Sequence, residues 1–213
     1  MNIRHVSRTL KKTLPKFFIN WYEEKKMVVD YQKWEKLGRP TPPPHVVKRI
    51  VIREYQKESN CNILVETGTY YGDMIYAQMN YFKSIYSIEL SPYFYNRAVK
   101  RFKKYKNIHL IQGDSATKLS SVLQTISEPV IFWLDGHYSG GKTAKGNVEC
   151  PIWAELNQIV FQGFTHIILI DDARCFTGEQ DYPTIEELRS YFTTINISYS
   201  FEVKDDIIRI VLK

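Results

Sequence analysis

The sequence has few cysteines and no long apolar run, and both absences limit what this protein can be. Its three cysteines, Cys61, Cys150 and Cys175, are far apart and odd in number. That spacing indicates neither a disulfide framework nor a zinc site. No run approaches the roughly 18 consecutive apolar residues of a membrane span, and the first residues lack the continuous apolar segment of a secretory signal. We therefore expect a reducing, cytoplasmic location.

Positive charge is concentrated at one end of the chain. The 213 residues carry a net charge of +6. Residues 1–40 contain ten basic and four acidic side chains, so the whole excess lies there, and the remaining 19 basic and 19 acidic residues balance. An enzyme that acts on nucleic acid more often carries its positive charge around the substrate cleft. The distribution therefore disfavours a nucleic-acid substrate.

Residues 1–44 predict a basic, aromatic helical extension and a stiff linker. Pro15 suits the start of a helix, Gly38-Arg39-Pro40 ends it, and the linker after it is rich in proline. The aromatic and apolar side chains near helical spacing are Phe17, Trp21, Val28, Tyr31 and Trp34. Three interpretations stay open. The helix packs on the main domain or on a second copy of the chain in a homo-oligomer, residues 1–37 contact an anionic membrane, or the segment covers a substrate.

Residues 45–213 predict a single α/β domain. A first helix is expected from His45 to Lys57, and strands then alternate with helices. The predicted parallel strands are 61–66, 84–89, 108–112, 130–135 and 166–171. This alternation is typical of a doubly wound, mostly parallel sheet. The last two apolar-rich runs, 197–203 and 207–212, flank a polar turn and predict a hairpin that adds antiparallel strands at one edge.

Each predicted parallel strand ends at or beside an acidic residue. In chain order these acids are Glu66, Glu89, Asp114, Asp135 and the pair Asp171-Asp172. Ligands of open parallel sheets bind beyond the carboxyl ends of the strands, where the winding reverses. One acid there is ordinary, but acids at five successive strand ends indicate a single cleft rich in carboxylates.

The loop after the first strand discriminates between nucleoside cofactors. Gly68 and Gly72 let the backbone turn tightly and approach a ligand, but their spacing differs from the Gly-x-Gly-x-x-Gly of dinucleotide sites. The flanking acids Glu66 and Asp73 would repel a pyrophosphate and suit a cation. S-adenosylmethionine carries an ammonium, a sulfonium and no phosphate. Glu89, about 20 residues further on, is placed to accept the ribose hydroxyls.

Four segments resemble the successive motifs of class I S-adenosylmethionine-dependent methyltransferases. They are residues 66–72, 87–89, 113–115 and 133–137. The resemblance covers roughly 45–213 and implies a Rossmann-like seven-stranded sheet of order 3-2-1-4-5-7-6. It implies that Glu66 and Gly68 line the methionine moiety, Glu89 the ribose and Asp114 the adenine. The other cofactor-binding residues that it implies are Thr69, Tyr70, Gly72, Asp73, Ser115 and Asp135.

Asp135, Asp171 and Asp172 predict a metal site. In the implied order their strands are neighbours, with ends about 5 Å apart, and carboxylates that close repel each other unless protonated or bridged by a cation. Oxygen ligands favour Mg²⁺ over zinc. The layout resembles metal-dependent O-methyltransferases of the catechol type and of the type acting on sugars of macrolide and aminocoumarin antibiotics. That resemblance implies a metal that chelates two substrate oxygens and lowers the pKa of the one to be methylated.

The catalytic candidates are His137, Lys142 and Asp135, and which residue removes the acceptor's proton is left open. His137, two residues past Asp135, is the first candidate for the base. Lys142 is the second, because catechol-type enzymes have a lysine just after this motif. His137 could instead ligate the metal. The sugar-type pattern has a further acid at this position, so the sequence departs from that pattern here and the role of His137 is left open. Arg174 either orients substrate or pairs with Glu179.

The leading prediction is a methyltransferase that uses S-adenosylmethionine, assisted by Mg²⁺, to methylate a hydroxyl of a small molecule or glycan precursor. A phosphate-loop nucleotide hydrolase competes, because Gly136 to Thr143 complete a Gly-x-x-x-x-Gly-Lys-Thr pattern. Against it, Gly146 and Pro151 delay the next helix and Asp135 would repel phosphate. A non-catalytic protein that binds the adenosyl cofactor is the third class.

Overall fold

The computed structural model describes residues 16–136 and 150–213. The chain forms two units, Met1–Val47 and Lys48–Lys213. The boundary between them falls inside helix α2 (His45–Ser59). The predicted division of the chain at the end of the proline-rich linker stays a prediction.

The N-terminal unit contains helix α1 (Lys16–Lys36), much as the sequence predicts. Gly38 lies just after it in the left-handed conformation, with a φ of 81°, and this ends the helix. Trp34 is buried, and its indole N–H donates a hydrogen bond of 2.9 Å to the carbonyl oxygen of Pro40. Within the described residues, no helix combines the length and the apolar character that crossing a membrane would need.

The second unit is built on one seven-stranded sheet. Its strands are β1 (Ile63–Thr67), β2 (Ser84–Glu89), β3 (Ile108–Gln112), β4 (Val130–Leu134), β5 (Ile167–Ile170), β6 (Tyr199–Lys204) and β7 (Ile207–Leu212). Their order is β3-β2-β1-β4-β5-β7-β6. Strands β1 to β5 are parallel, and β7 is antiparallel to both of its neighbours. The predicted doubly wound α/β sheet and its strand order are confirmed.

Helices lie on both sides of this sheet. Besides α2 they are α3 (Asp73–Gln78), α4 (Pro92–Phe102), α5 (Ser115–Leu123), α6 (Ile152–Ile159) and α7 (Ile185–Thr194). Local sequence sets their ends. Pro92 occupies the first turn of α4, and Thr184 and Glu187 form a capping box at the start of α7. The observed bounds differ from the predicted ones by a few residues at most, at ends whose position depends on cap geometry.

The central strands β1, β4 and β5 are buried along their whole length. Strands covered by helices on both faces need apolar side chains on both faces, which explains their nearly continuous apolar sequence. The edge strand β6 is more exposed, and a hairpin joins it to β7. Asp205 and Asp206 form the turn with φ values of 55° and 63°, the backbone conformation that a two-residue hairpin turn requires.

Candidate cofactor and cation site

The winding of the sheet reverses between β1 and β4, so the loops after these strands meet at one edge. They come close together at Asp135 and Gly68, the first residue of the glycine loop (residues 68–72). A Cβ added to Gly68 would lie 2.3 Å from the Asp135 carbonyl oxygen, and the φ of Gly68 is +87°. Space and backbone conformation therefore both exclude a side chain here. This close approach is the physical reason for the glycine that the sequence shows after β1.

Glu66 on β1 is buried, with 2% of its surface exposed. Ser87 on β2 donates a hydrogen bond of 2.5 Å to Glu66 Oε2, and a second bond of 2.6 Å joins the hydroxyls of Ser87 and Thr69. Burial raises the pKa of Glu66 to about 8, although the Ser87 hydrogen bond acts in the opposite direction. The carboxyl is therefore largely protonated at neutral pH. A cation bound beside it would favour the ionised form.

Glu89, at the end of β2, holds the glycine loop in place through hydrogen bonds. Its Oε2 accepts a hydrogen bond of 2.7 Å from the backbone N–H of Tyr70, and its Oε1 accepts one of 2.8 Å from the N–H of Ser91. Burial raises the pKa of Glu89, while these backbone hydrogen bonds lower it. Each carboxylate oxygen has two acceptor positions. Glu89 can thus hold the loop and still accept a hydrogen bond from a ribose hydroxyl.

Three further predicted cofactor-binding residues, Tyr70, Gly72 and Asp73, lie in the glycine loop or directly after it. Tyr70 is 45% exposed and has a φ of 49°. A Cβ on Gly72 would lie 2.6 Å from the ring of Phe102, so this position also needs glycine. Asp73 forms a 2.7 Å ion pair with Arg101. The charge of Asp73 is therefore compensated within the chain, and its role in cofactor binding stays a prediction.

Asp114 lies just after β3 and caps α5. Its Oδ1 accepts a hydrogen bond of 2.9 Å from the N–H of Ala116. The N–H of Gly113 donates a bond of 2.9 Å to the carbonyl of Glu89, which joins the loops after β2 and β3. Ser115 is buried at the first position of the helix. The cap occupies one oxygen of Asp114, so it leaves room for the predicted contact with an adenine amino group.

A second group of acids, the acidic cluster, lies at the ends of β4 and β5 and consists of Asp135, Asp171 and Asp172. One carboxylate oxygen from each of the three residues lies within 4.8 Å of the other two. The parallel pairing of Leu134 with Ile170 brings them together, and the N–H of Asp171 donates a bond of 3.1 Å to the Leu134 carbonyl. Asp171 is fully buried. The proximity that the sequence predicts is present, whereas the role of these acids as metal ligands stays a prediction.

Lys48 on α2 is the site residue that the sequence analysis missed. Its Nζ donates a hydrogen bond to Asp171 Oδ2 and lies 3.4 Å from Asp172 Oδ1. Burial lowers the pKa of Lys48, but the negative charges of the acidic cluster outweigh burial and raise that pKa above its ordinary value. One signal was available. Lys48 precedes the buried Val51 and Ile52 by three and four positions, so it lies on the buried face of its helix.

Arg174, in the segment after β5, also contacts the acidic cluster. Its Nη1 lies 2.9 Å from Asp172 Oδ1 and also forms an ion pair with Asp206 Oδ2 in the hairpin turn. The sequence left open whether Arg174 orients substrate or pairs with Glu179. The ion-pair partners that the structure gives it are Asp172 and Asp206. Arg174 therefore links the acidic cluster to the β6–β7 turn.

The oxygen atoms of the acidic cluster are suitable ligands for a hard divalent cation. The negative charge of the cluster does not by itself require such a cation. Three carboxylates are the ligand type that Mg²⁺ and Mn²⁺ prefer. From the sequence, a metal was predicted because these carboxylates would repel one another. Lys48 and Arg174 reduce that repulsion with charges of the chain's own. The metal stays a prediction supported by the donor set.

Two of the predicted catalytic residues, His137 and Lys142, lie outside the described residues. The same holds for most of the phosphate-loop pattern that begins at Gly136. The identity of the general base therefore stays a prediction.

Comparison with known proteins rests on structure, because no protein-family model and no curated protein sequence matches this chain. A protein assigned as a caffeoyl-CoA O-methyltransferase from Staphylococcus aureus superimposes with a TM-score of 0.56 at 11% identity, covering 93% of this chain and 98% of that one. The S-adenosylhomocysteine-bound methyltransferase PaMTH1 of Podospora anserina gives 0.54 at 16%, covering 94% and 89%.

An O-methyltransferase from Bacillus cereus, in complex with S-adenosylhomocysteine, gives a TM-score of 0.54 at 12% identity and covers 89% of this chain and 91% of that one. These likenesses extend over nearly the whole chain in each case. Their identities are low, so they establish architecture. The chain has the fold of class I S-adenosylmethionine-dependent methyltransferases.

Proposed function

We propose that this protein transfers the methyl group of S-adenosylmethionine to a hydroxyl of a small molecule or a glycan precursor. The observation that carries the proposal is the arrangement of two buried carboxyl groups around the glycine loop. Glu66 precedes the loop, and Glu89 accepts a hydrogen bond from it. A cofactor with a cationic methionine moiety and a ribose supplies a positive charge for Glu66 and hydroxyl donors for Glu89.

Transfer to oxygen needs a proton acceptor as well as a methyl donor. The acceptor oxygen forms a bond to the methyl carbon as the carbon–sulfur bond breaks, S-adenosylhomocysteine leaves, and the hydroxyl proton passes to a base. His137 and Lys142 are the proposed bases. The acidic cluster would hold Mg²⁺, which when bound would lower the pKa of the acceptor hydroxyl.

Oxygen as the acceptor atom is supported by two observations. Two of the structural relatives described above are named as O-methyltransferases, whereas other solved structures with this fold are named as N- or RNA methyltransferases. The acidic cluster offers oxygen donors for a divalent cation at the end of β4, which pairs with β1, and at the end of β5, which pairs with β4. Neither observation identifies the acceptor. The cytoplasmic location, membrane contact through residues 1–37 and self-association also stay predictions from the sequence.

The two competing classes are less well supported. A phosphate-loop hydrolase is disfavoured because the acidic cluster lies at the start of that loop and would repel phosphate groups. Two structural relatives also contain S-adenosylhomocysteine. A non-catalytic protein that binds the cofactor would keep the same loop and the same carboxyl groups. Only product formation separates that alternative from an enzyme.

The proposal is tested by incubating the protein with isotopically labelled S-adenosylmethionine, Mg²⁺ and a panel of catechols, phenols and sugars with free hydroxyls. Label in an acceptor, with release of an equal amount of S-adenosylhomocysteine, is the expected result. Donor binding with no release across the panel would favour the non-catalytic alternative. Repeating a productive reaction with a chelator tests the metal, because undiminished transfer without divalent cations contradicts the Mg²⁺ part of the proposal.

A further inference from the structure

Lys48 places a positive charge of the chain itself in the acidic cluster. Its ammonium contacts the fully buried Asp171 and reaches Asp172, while 16% of the Lys48 side chain is exposed. The lysine comes from α2, whereas the acids lie after β4 and β5. Its position is thus fixed by the packing of α2 as well as by the two carboxylates.

The ammonium bonds to oxygen atoms that a metal would also need. Asp171 Oδ2 accepts the Lys48 hydrogen bond, and a divalent ion bound by the same carboxylate would lie about 2.0–2.6 Å from its oxygens. An ammonium and a divalent ion held by one carboxylate would repel each other strongly in this buried setting. Occupation of the cluster by one of them therefore disfavours binding of the other.

We propose that Lys48 and a divalent cation are alternative occupants of the acidic cluster, so that Lys48 sets the affinity for the metal. Without a metal, the ammonium compensates the buried charge of Asp171. When a divalent ion binds, the ammonium moves away from Asp171 and Asp172. The inference rests on the cation site of the proposed function and is independent of methyl transfer.

Arg174 does not have the same relationship to the cluster. Its guanidinium bonds to Asp172 and to Asp206, so it has a partner outside the acidic cluster that a metal would not displace. Arg174 is also 39% exposed in its side chain, against 16% for Lys48. Lys48 is therefore the residue whose removal should change metal affinity most.

The test is a calorimetric titration with Mn²⁺ of the purified, cofactor-free wild type and of the Lys48→Met variant. Removing the competing ammonium should tighten Mn²⁺ binding at least tenfold. Lys57→Met is the matched control, since it removes the same charge from an exposed position on the same helix. This control should bind Mn²⁺ as the wild type does, and adding Asp171→Asn to Lys48→Met should abolish the gain.

A second variant distinguishes the effect of losing the Lys48 charge from the effect of destabilising the fold. Lys48→Gln removes the charge but keeps an N–H donor for Asp171, and it should also bind Mn²⁺ at least tenfold more tightly than the wild type. Equal affinity in the wild type and in the folded Lys48 variants, or absence of binding in all of them, would overturn the competition. Because the readout is metal binding, the outcome does not depend on whether a methyl acceptor has been found.

Discussion

Lys48 donates a hydrogen bond to Asp171, although 123 positions separate the two residues in the sequence. Asp171 is completely buried and Lys48 largely so. Burial raises the pKa of the Asp171 carboxyl, and the Lys48 charge opposes that rise. The pair thus joins α2 to the end of a central strand and compensates the most buried charge of the acidic cluster.

Replacing Lys48 with methionine should lower the free energy of unfolding by about 3–5 kcal/mol, because it leaves Asp171 buried without its lysine partner. Urea denaturation at neutral pH measures the change. The Lys48→Met, Asp171→Asn double variant should recover much of the loss, since an amide carries no charge to compensate. A double variant no more stable than the single one would contradict this role for the pair.

Glu66 should make stability depend on pH. Its pKa is about 8 in the folded protein and near 4.5 in an unfolded chain. Between these values the folded state holds a proton that the unfolded state has released, so this group makes the free energy of unfolding fall as pH rises, by up to about 1.4 kcal/mol per pH unit. Glu66→Gln, which cannot titrate, should flatten the profile. Urea denaturation from pH 5 to 8 checks this, and Glu54→Gln, at an exposed position, should keep the wild-type slope.

Glu89 should be coupled to the ribose of the cofactor. Removing the 2′-hydroxyl from S-adenosylhomocysteine should weaken binding to the wild type about tenfold, the effect of one hydrogen bond to a charged group. In Glu89→Gln the same change in the ligand should have much less effect, because the charged acceptor is already gone. Calorimetry with both ligands and both proteins gives the coupling. An equal penalty in the two proteins would assign the ribose to another residue.

Gly68 should tolerate alanine less well than another glycine with positive φ. Gly163 has a φ of +73° with no atom within 4 Å of an added Cβ, so Gly163→Ala meets backbone strain alone and should destabilise the protein by about 1 kcal/mol. Gly68→Ala adds a collision with the Asp135 carbonyl and should destabilise it further. It should also reduce affinity for S-adenosylhomocysteine, whereas Gly163→Ala should not. Equal effects of the two variants on affinity would argue against the glycine loop as the cofactor site.

The features that the sequence predicted correctly are those that depend on a short, continuous segment of the chain. Apolar runs such as 130–134 identify buried parallel strands, and the acid after each run marks the strand end that faces the cleft. Asp135 and Asp171 could be brought together because the strand order implied by the resemblance makes their strands neighbours. The structure gives that strand order. The sequence predicted a tight turn at Gly68. It did not predict that the Asp135 carbonyl, in the loop after β4, leaves no space for a side chain at position 68.

The features that the sequence did not predict depend on side chains that meet across the fold. Lys48 with Asp171, Arg174 with Asp206, and Arg101 with Asp73 are each separated by at least 28 positions. No periodicity or local motif encodes such pairs, because the approach of α2, α4 and the hairpin to the sheet determines them. The acidic cluster shows the consequence. The sequence predicted that its acids lie close together and repel one another, but the compensating lysine is far from them in the sequence.

Calorimetric titration of the wild type with S-adenosylhomocysteine and, separately, with ATP tests the central claim most directly. The two ligands share adenosine and differ in the group attached to its ribose, which is an amino acid with an ammonium group in one and a chain of phosphates in the other. The carboxyl groups of Glu66 and Glu89 predict saturable binding of S-adenosylhomocysteine and no binding of ATP. Binding of ATP alone would contradict the account.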